Sequence, residues 1–182
     1  MRGGQLSLDK LFINVEGTSQ GNLNSGGSAA IGIVISDREG NILKEISEVI
    51  GRATGDVAEY KALITAIKAA LAYNPREAIF FTDSQLVANQ INGLYRIRQP
   101  HLEKLNQEAL ELLACIPSWK VRFVERSANW RAHKLAQQAL LNRSPGRERR
   151  LTELIIEKLE KLDEETKRRV LEYINRLLEE EL

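Results

Sequence analysis

A mixed α/β fold is predicted for this chain: a five-stranded sheet of three antiparallel strands and two parallel additions, covered by helices, then a C-terminal helical hairpin. Three observations predict it. In the first 50 residues apolar positions alternate with period two between short Gly-, Asn- and Asp-rich connections, the mark of an antiparallel meander. After residue 55 helical stripes alternate with short apolar, β-rich runs, and strands joined through helices need parallel neighbours. After residue 150 only helical periodicity remains.

The elements follow in order. Leu11–Glu16 places Leu11, Ile13 and Val15 on one face and Phe12, Asn14 and Glu16 on the other, with Gly17 expected to stop the strand. Gly21–Ser28 reads as a turn, Ala29–Ser36 as a buried strand, and Asp37–Asn41 as a hairpin connection. Ile42–Ile50 has the mixed pattern of an edge strand. From Asp56 to Tyr73, the residues Glu59, Ala62, Leu63, Ala66 and Ala70 fall on one helical stripe. Ala78–Thr82 is a buried strand. Ser84–Ile91 and Pro100–Leu113 are helices separated by Asn92-Gly93 and Tyr95–Gln99. Trp119–Glu125 is the last strand and Asn129–Leu141 a helix, which gives the order β-β-β-α-β-α-α-β-α.

Pro, Gly and charge in Arg143–Arg150 break this pattern, dividing the chain into residues 1–144 and a two-helix appendage, 145–182. Leu151, Leu154, Ile155, Leu159 and Leu162 form one amphipathic stripe. Val170, Leu171, Ile174, Leu177 and Leu178 form another, with Asp163 as N-cap between them. So small a pair buries little by itself. It is expected to dock on the core, on a second copy in a homodimer, or on a protein partner.

Composition excludes several classes. Residues 1–144 hold 17 Lys and Arg against 14 Asp and Glu, and the remainder 9 against 11, so neither part has the basic excess that would announce nucleic-acid binding by itself. The single cysteine, Cys115, rules out a disulfide framework or a cysteine zinc site, and its apolar run predicts a packed, reduced thiol. No run reaches transmembrane length and the first ten residues lack the apolar core of a leader, so a cytoplasmic protein without membrane contact is expected.

Three acids stand at the ends of predicted elements. Glu16 ends the first strand, Glu59 lies on the inward stripe of the first helix, and Asp83 ends the most apolar strand. Each has an ordinary reading: a solvated acid near a turn, a partner of the helix dipole, an N-cap. Gathered at one end of a sheet they would form an oxygen-rich pocket for divalent metal, of the kind that cuts phosphodiesters. His133 sits one turn into the last helix, four residues after Asn129. No nucleophile elbow supports a Ser-His-Asp triad, and His101 has no evident partners.

Taken together, the words around these residues resemble the type 1 ribonuclease H family, in its compact archaeal and bacterial branch without a separate basic protrusion. The resemblance spans residues ~9–141. It rests on Glu16-Gly17-Thr18-Ser19, Ala58-Glu59-Tyr60-Lys61-Ala62-Leu63, Thr82-Asp83-Ser84-Gln85-Leu86-Val87, the segment Gln90–Arg98, and Asn129, His133, Leu135 and Ala136. It implies a two-metal endonuclease that cuts the RNA strand of an RNA/DNA hybrid and leaves a 5′-phosphate. Glu16, Glu59, Asp83 and His133 would be both catalytic residues and ligands of Mg²⁺ or Mn²⁺. Ser19, Gln85, Asn89 and Asn129 would contact sugar and phosphate, and Arg96, Arg98 and Arg126 would hold backbone phosphates. The chain departs from the family twice, with Glu16 and His133 at positions where the family has Asp. A longer arm and a neutral nitrogen ligand both favour Mn²⁺ over Mg²⁺. The alternative expectation is a catalytically silent module of the same fold that binds hybrid or structured RNA.

Overall fold

The computed structural model describes residues 9–20, 26–142 and 155–180. The chain falls into two compact units, Met1–Arg143 and Ser144–Leu182.

The first unit is built on five strands: β1 (Lys10–Ser19), β2 (Gly27–Ser36), β3 (Ile42–Ala53), β4 (Glu77–Thr82) and β5 (Ser118–Phe123), in the order β3-β2-β1-β4-β5. β1–β2 and β2–β3 are antiparallel, whereas β1–β4 and β4–β5 are parallel. Helices α1 (Gly55–Leu71), α2 (Gln85–Ile91), α3 (Pro100–Leu113) and α4 (Trp130–Asn142) cover the sheet, with a 3-10 turn at Arg126–Asn129 leading into α4.

Period two sorts the side chains of β1. Leu11, Ile13 and Val15 are fully buried and join Ile31, Ile33, Ile35 and Phe80 against Tyr60, Leu63 and Ile67 of α1. Each such side chain contributes about 1.5–3 kcal/mol by leaving water. The opposite face of β1 carries Asn14 and Glu16, so it holds polar side chains inside the protein.

Local signals set the helix starts. Thr54 caps α1, its hydroxyl accepting from Val57 N at 3.4 Å. Ser84, not Asp83, caps α2 by accepting from Val87 N at 3.2 Å, which leaves the Asp83 carboxylate free for other work. Asp37 closes the β2–β3 hairpin, accepting from Asn41 N and Nδ2 at 2.8 and 2.9 Å.

Two expectations need correction. β1 runs through Gly17 to Ser19. The glycine is there because a Cβ would lie 2.2–2.3 Å from the backbone of Ala58 and Glu59, so it marks close approach by α1 rather than a strand end. Cys115 is exposed, its Sγ set against the Glu111 carbonyl at 3.7 Å in the turn after α3. The buried stripe of that helix runs through Leu102, Ala109 and Leu113, and residue 115 turns away from it. Residues 21–25 of the expected turn lie outside the described residues, as do residues 143–150 of the expected boundary and Leu151 and Leu154 of the tail stripe.

In the second unit a helical segment α5 (155–160) is followed by α6 (Glu164–Glu180). Asp163 caps α6 by accepting from Thr166 N at 2.8 Å. Ile155, Ile156, Leu171, Tyr173 and Ile174 are exposed. Among the described residues no helix is long and apolar enough to cross a membrane.

Candidate active site

Register brings the first two acids together. Val15 pairs with Thr82 in the parallel β1–β4 ladder, so Asp83, one residue on, emerges level with Glu16. The third comes from α1, whose approach at Gly17 sets Glu59 at the same place; Gly17 N–H donates to Glu59 Oε2 at 3.1 Å. One ligand oxygen from each of Glu16, Glu59 and Asp83 lies within 4.8 Å of the others.

Confined carboxylates repel, and the protonation energetics record it. Burial, a hydrogen bond with Asp83 and the charges of Glu59 and Asp83 push Glu16 up to about 10, against partial relief from Arg126. Burial and the Asp83 charge push Glu59 up to about 8, although the Gly17 N–H opposes them. Burial raises Asp83 too, but hydrogen bonds from Glu16, Arg126 and Asn129 outweigh it and hold Asp83 below its ordinary value. Protonation of Glu16 with Asp83 as acceptor relieves the repulsion that like charges at close range create.

Glu16 is 0% exposed, and its Oε2 meets no donor among the described residues. A proton shared with Asp83 or a cation can satisfy that oxygen. An unmatched buried carboxylate oxygen beside two further carboxylates, with no thiolate among them, suits a hard divalent cation such as Mg²⁺ or Mn²⁺.

His133 stands beside the cluster rather than in it. Its Nδ1 lies 2.7 Å from Glu16 Oε1, and it is outside the group whose ligand atoms mutually converge. Burial and the Arg126 charge lower its pKa, with partial compensation from Asp83, which favours a neutral ring. The contact between Nδ1 and Oε1 holds the neutral ring against Glu16.

Asn129, expected to contact sugar and phosphate, is held inside the protein. It is 1% exposed, and Nδ2 donates to Val15 O at 2.9 Å and Asp83 Oδ1 at 3.3 Å. Its Oδ1 accepts from Asn14 Nδ2 at 3.1 Å, which decides which way the amide faces. It tethers Asp83 from below. Asn14 was missed in the sequence, although period two places it on the same face of β1 as Glu16.

Arg126 lies over the carboxylates, with Nε 3.2 Å from Asp83 Oδ2 and one Nη 3.7 Å from Glu16 Oε1. Its side chain is 67% exposed, so solvent weakens both contacts and the guanidinium can turn outward. The other expected contacts spread outward. Gln85 is exposed at the first residue of α2 and Asn89 half-buried one turn later. Ser19 Oγ donates to Ala53 O at 2.6 Å. Arg96 and Arg98 are exposed and line an open groove of about 920 Å³ with Tyr95, Glu103 and Asn106.

Residues 14–139 match the family described as reverse transcriptase-like. The ribonuclease HI of Halobacterium salinarum is 39% identical over 125 residues, 69% of this chain and 61% of that protein, so the chain spans less than two thirds of this relative. A crystal structure of RNase H1 from the same archaeon superposes with a TM-score of 0.70 at 37% identity, covering 73% of this chain and 98% of that one. LC11-RNase H1, solved in complex with an RNA/DNA hybrid, gives 0.64 at 30% identity, covering 71% and 95%.

Proposed function

This chain belongs to the reverse transcriptase-like family, in its type 1 ribonuclease H branch, and from that premise we propose that it is a divalent-metal-dependent endonuclease hydrolysing the RNA strand of RNA/DNA hybrids. The convergence of Glu16, Glu59 and Asp83 within 4.8 Å, with one buried Glu16 oxygen unmatched, carries the proposal. When bound, divalent cations supply an activated water and charge stabilisation at the scissile phosphate.

The chain's residues do the rest. Glu16, Glu59 and Asp83 hold the cations. His133, at the family's fourth position, orients Glu16 through Nδ1, and Asn129 orients Asp83. Arg126, exposed above the carboxylates, would hold a backbone phosphate. Arg96 and Arg98 hold further phosphates, while Gln85, Asn89 and Ser19 flank the path of sugar and phosphate. The 2′-hydroxyl, donor and acceptor at once, is the group by which the RNA strand is told from DNA.

A neutral imidazole in place of a fourth carboxylate leaves fewer negative charges for a cation, and the longer arm of Glu16 departs from the geometry Mg²⁺ demands. We assign Mn²⁺ as the better cofactor. Asp83→Asn tests the function itself: the parent should cleave labelled hybrid and the variant should not. Absence of cleavage in both forms would leave a hybrid-binding module of this fold.

The exposed residues Leu171 and Ile174 of α6, on the stripe that Val170 shares, are proposed as a contact with a second copy. Truncation after Asn142 should then leave a monomer in solution.

A further inference from the structure

Helix α4 presents three distinct sides. Ala132, Ala136, Ala139 and Leu140 are buried on the sheet side. A second side is tied to β3: Arg131 Nε donates to Glu45 Oε1 at 2.6 Å, and the Leu135 carbonyl accepts from Ser47 Oγ at 2.7 Å. The third carries Trp130, His133 and Gln137, whose i, i+3, i+7 spacing places them on one stripe.

His133 fixes where that stripe looks, since its Nδ1 touches Glu16. Trp130 therefore opens the stripe at the mouth of the carboxylate cluster. It directly follows Asn129, the buried tether of Asp83, and is itself 59% exposed. Isolated exposed apolar residues are ordinary on protein surfaces. A tryptophan is a different case here, because its helix side is shared with His133 and neither the sheet nor β3 claims it. Lys134, also exposed, stands one turn further along the same edge.

We propose that Trp130 is a substrate-binding residue: its indole lies against the sugar edge in the minor groove of the hybrid, close to the scissile phosphate, and fixes the position of the strand along α4. The inference rests on the hybrid-hydrolase reading and adds to it the group that sets the strand's register. A wide, shallow A-like minor groove exposes sugar faces and 2′-hydroxyls to a flat side chain. An indole matches both, its ring packing on apolar sugar atoms and its Nε1–H donating to an oxygen. One helical turn is about 5.4 Å, the axial length of roughly two steps along a nucleic-acid strand. Trp130 thus reaches sugars one or two steps from the phosphate held by the carboxylates.

The chain has two tryptophans, so Trp119→Phe leaves Trp130 as the sole indole reporter. The experiment titrates this variant with a short RNA/DNA hybrid in Ca²⁺, a cation that tolerates irregular oxygen sites. Saturable quenching of Trp130 emission is expected. In the otherwise unaltered protein, Trp130→Ala should weaken hybrid binding about tenfold, the equivalent of 1.4 kcal/mol, and Trp130→Phe much less. With Mn²⁺ the loss should fall mainly on KM. Unchanged emission while a gel shift shows the hybrid bound would overturn the inference. So would parent-like binding by the folded Trp130→Ala variant. Failure of the unsubstituted protein to bind hybrid would remove both this inference and the hydrolase reading beneath it.

Discussion

Gly32 stands opposite Glu16 in the β1–β2 ladder, and the place where its Cβ would project is filled by α4: an added Cβ would lie 2.0 Å from Ala132 O and 2.6 Å from Ala136 N. That close approach brings His133 to Glu16. Gly17 does the same on the other face of β1, where its missing side chain admits the first turn of α1 and with it Glu59. Two glycines in β1 and β2 therefore set two of the side chains gathered around Glu16.

Gly32→Ala should separate this packing from the chemistry. Backbone atoms of α4 cannot yield as a flexible side chain would, so the helix must shift, at a cost of about 1–3 kcal/mol or more. The urea midpoint should fall, and divalent-ion affinity with it as His133 leaves Glu16. Gly55→Ala is the control, because a Cβ there meets nothing within 4 Å and no positive φ is involved. It should leave both quantities near the parent values.

The pH dependence of stability without metal follows from the same cluster. Glu16 and Glu59 are raised from 4.5 to about 10 and about 8, so between these limits the folded state binds more protons than the unfolded chain. Their contribution is fully present below about pH 4.5 and is lost as pH climbs toward 8 and 10. Asp83 is lowered and acts oppositely, its contribution disappearing only as pH falls below 3.8. In EDTA the Tm should decline from pH 5 to pH 9, and Mn²⁺ should restore more of it at the alkaline end. Glu16→Gln, which has no proton to lose, should flatten the slope. A metal-free Tm that rises over this range would contradict the assignment.

Ion preference tests the role of His133. Replacement by Asp adds a fourth carboxylate where a neutral ring now contacts Glu16. Divalent affinity should rise and the Mn²⁺/Mg²⁺ activity ratio should fall, by about tenfold for each 1.4 kcal/mol by which Mg²⁺ gains more than Mn²⁺. The metal-free variant should be less stable, because another acid joins a cluster that already holds its protons tightly. An unchanged ratio would show that His133 does not govern which ion works.

Element order, strand directions and the meeting of Glu16, Glu59 and Asp83 were legible in the sequence, because each depends on periodicity and on where elements end. What escaped depends on long-range packing. Gly17 looks identical whether it ends a strand or admits a helix, and only the presence of α1 decides. Cys115 sits in an apolar run, but the helical stripe through Leu113 ends before it and the turn exposes it. Nothing local in the sequence signals that the Asn129 amide is buried on Val15 O. The pairing of Arg126 with Glu16 and Asp83 was likewise not signalled by the sequence.

Asn129→Ala distinguishes a buried tether from a substrate contact. The substitution removes the donors to Val15 O and Asp83 Oδ1 and leaves Asn14 Nδ2 without its acceptor. Stranding buried polar groups costs about 1–3 kcal/mol, so the unfolding midpoint should drop measurably. Asp83 also loses one of the hydrogen bonds that hold it ionised, and the cation site weakens as a result. Turnover should therefore fall and more Mn²⁺ should be needed for half-maximal rate. KM for the hybrid should change little, because a side chain 1% exposed has no surface to offer the substrate. Asn129→Asp should be worse than Ala, since it turns a donor toward Asp83 into a second negative charge. A raised KM with intact turnover in Asn129→Ala would place the amide on the nucleic acid and refute its role as the anchor of Asp83.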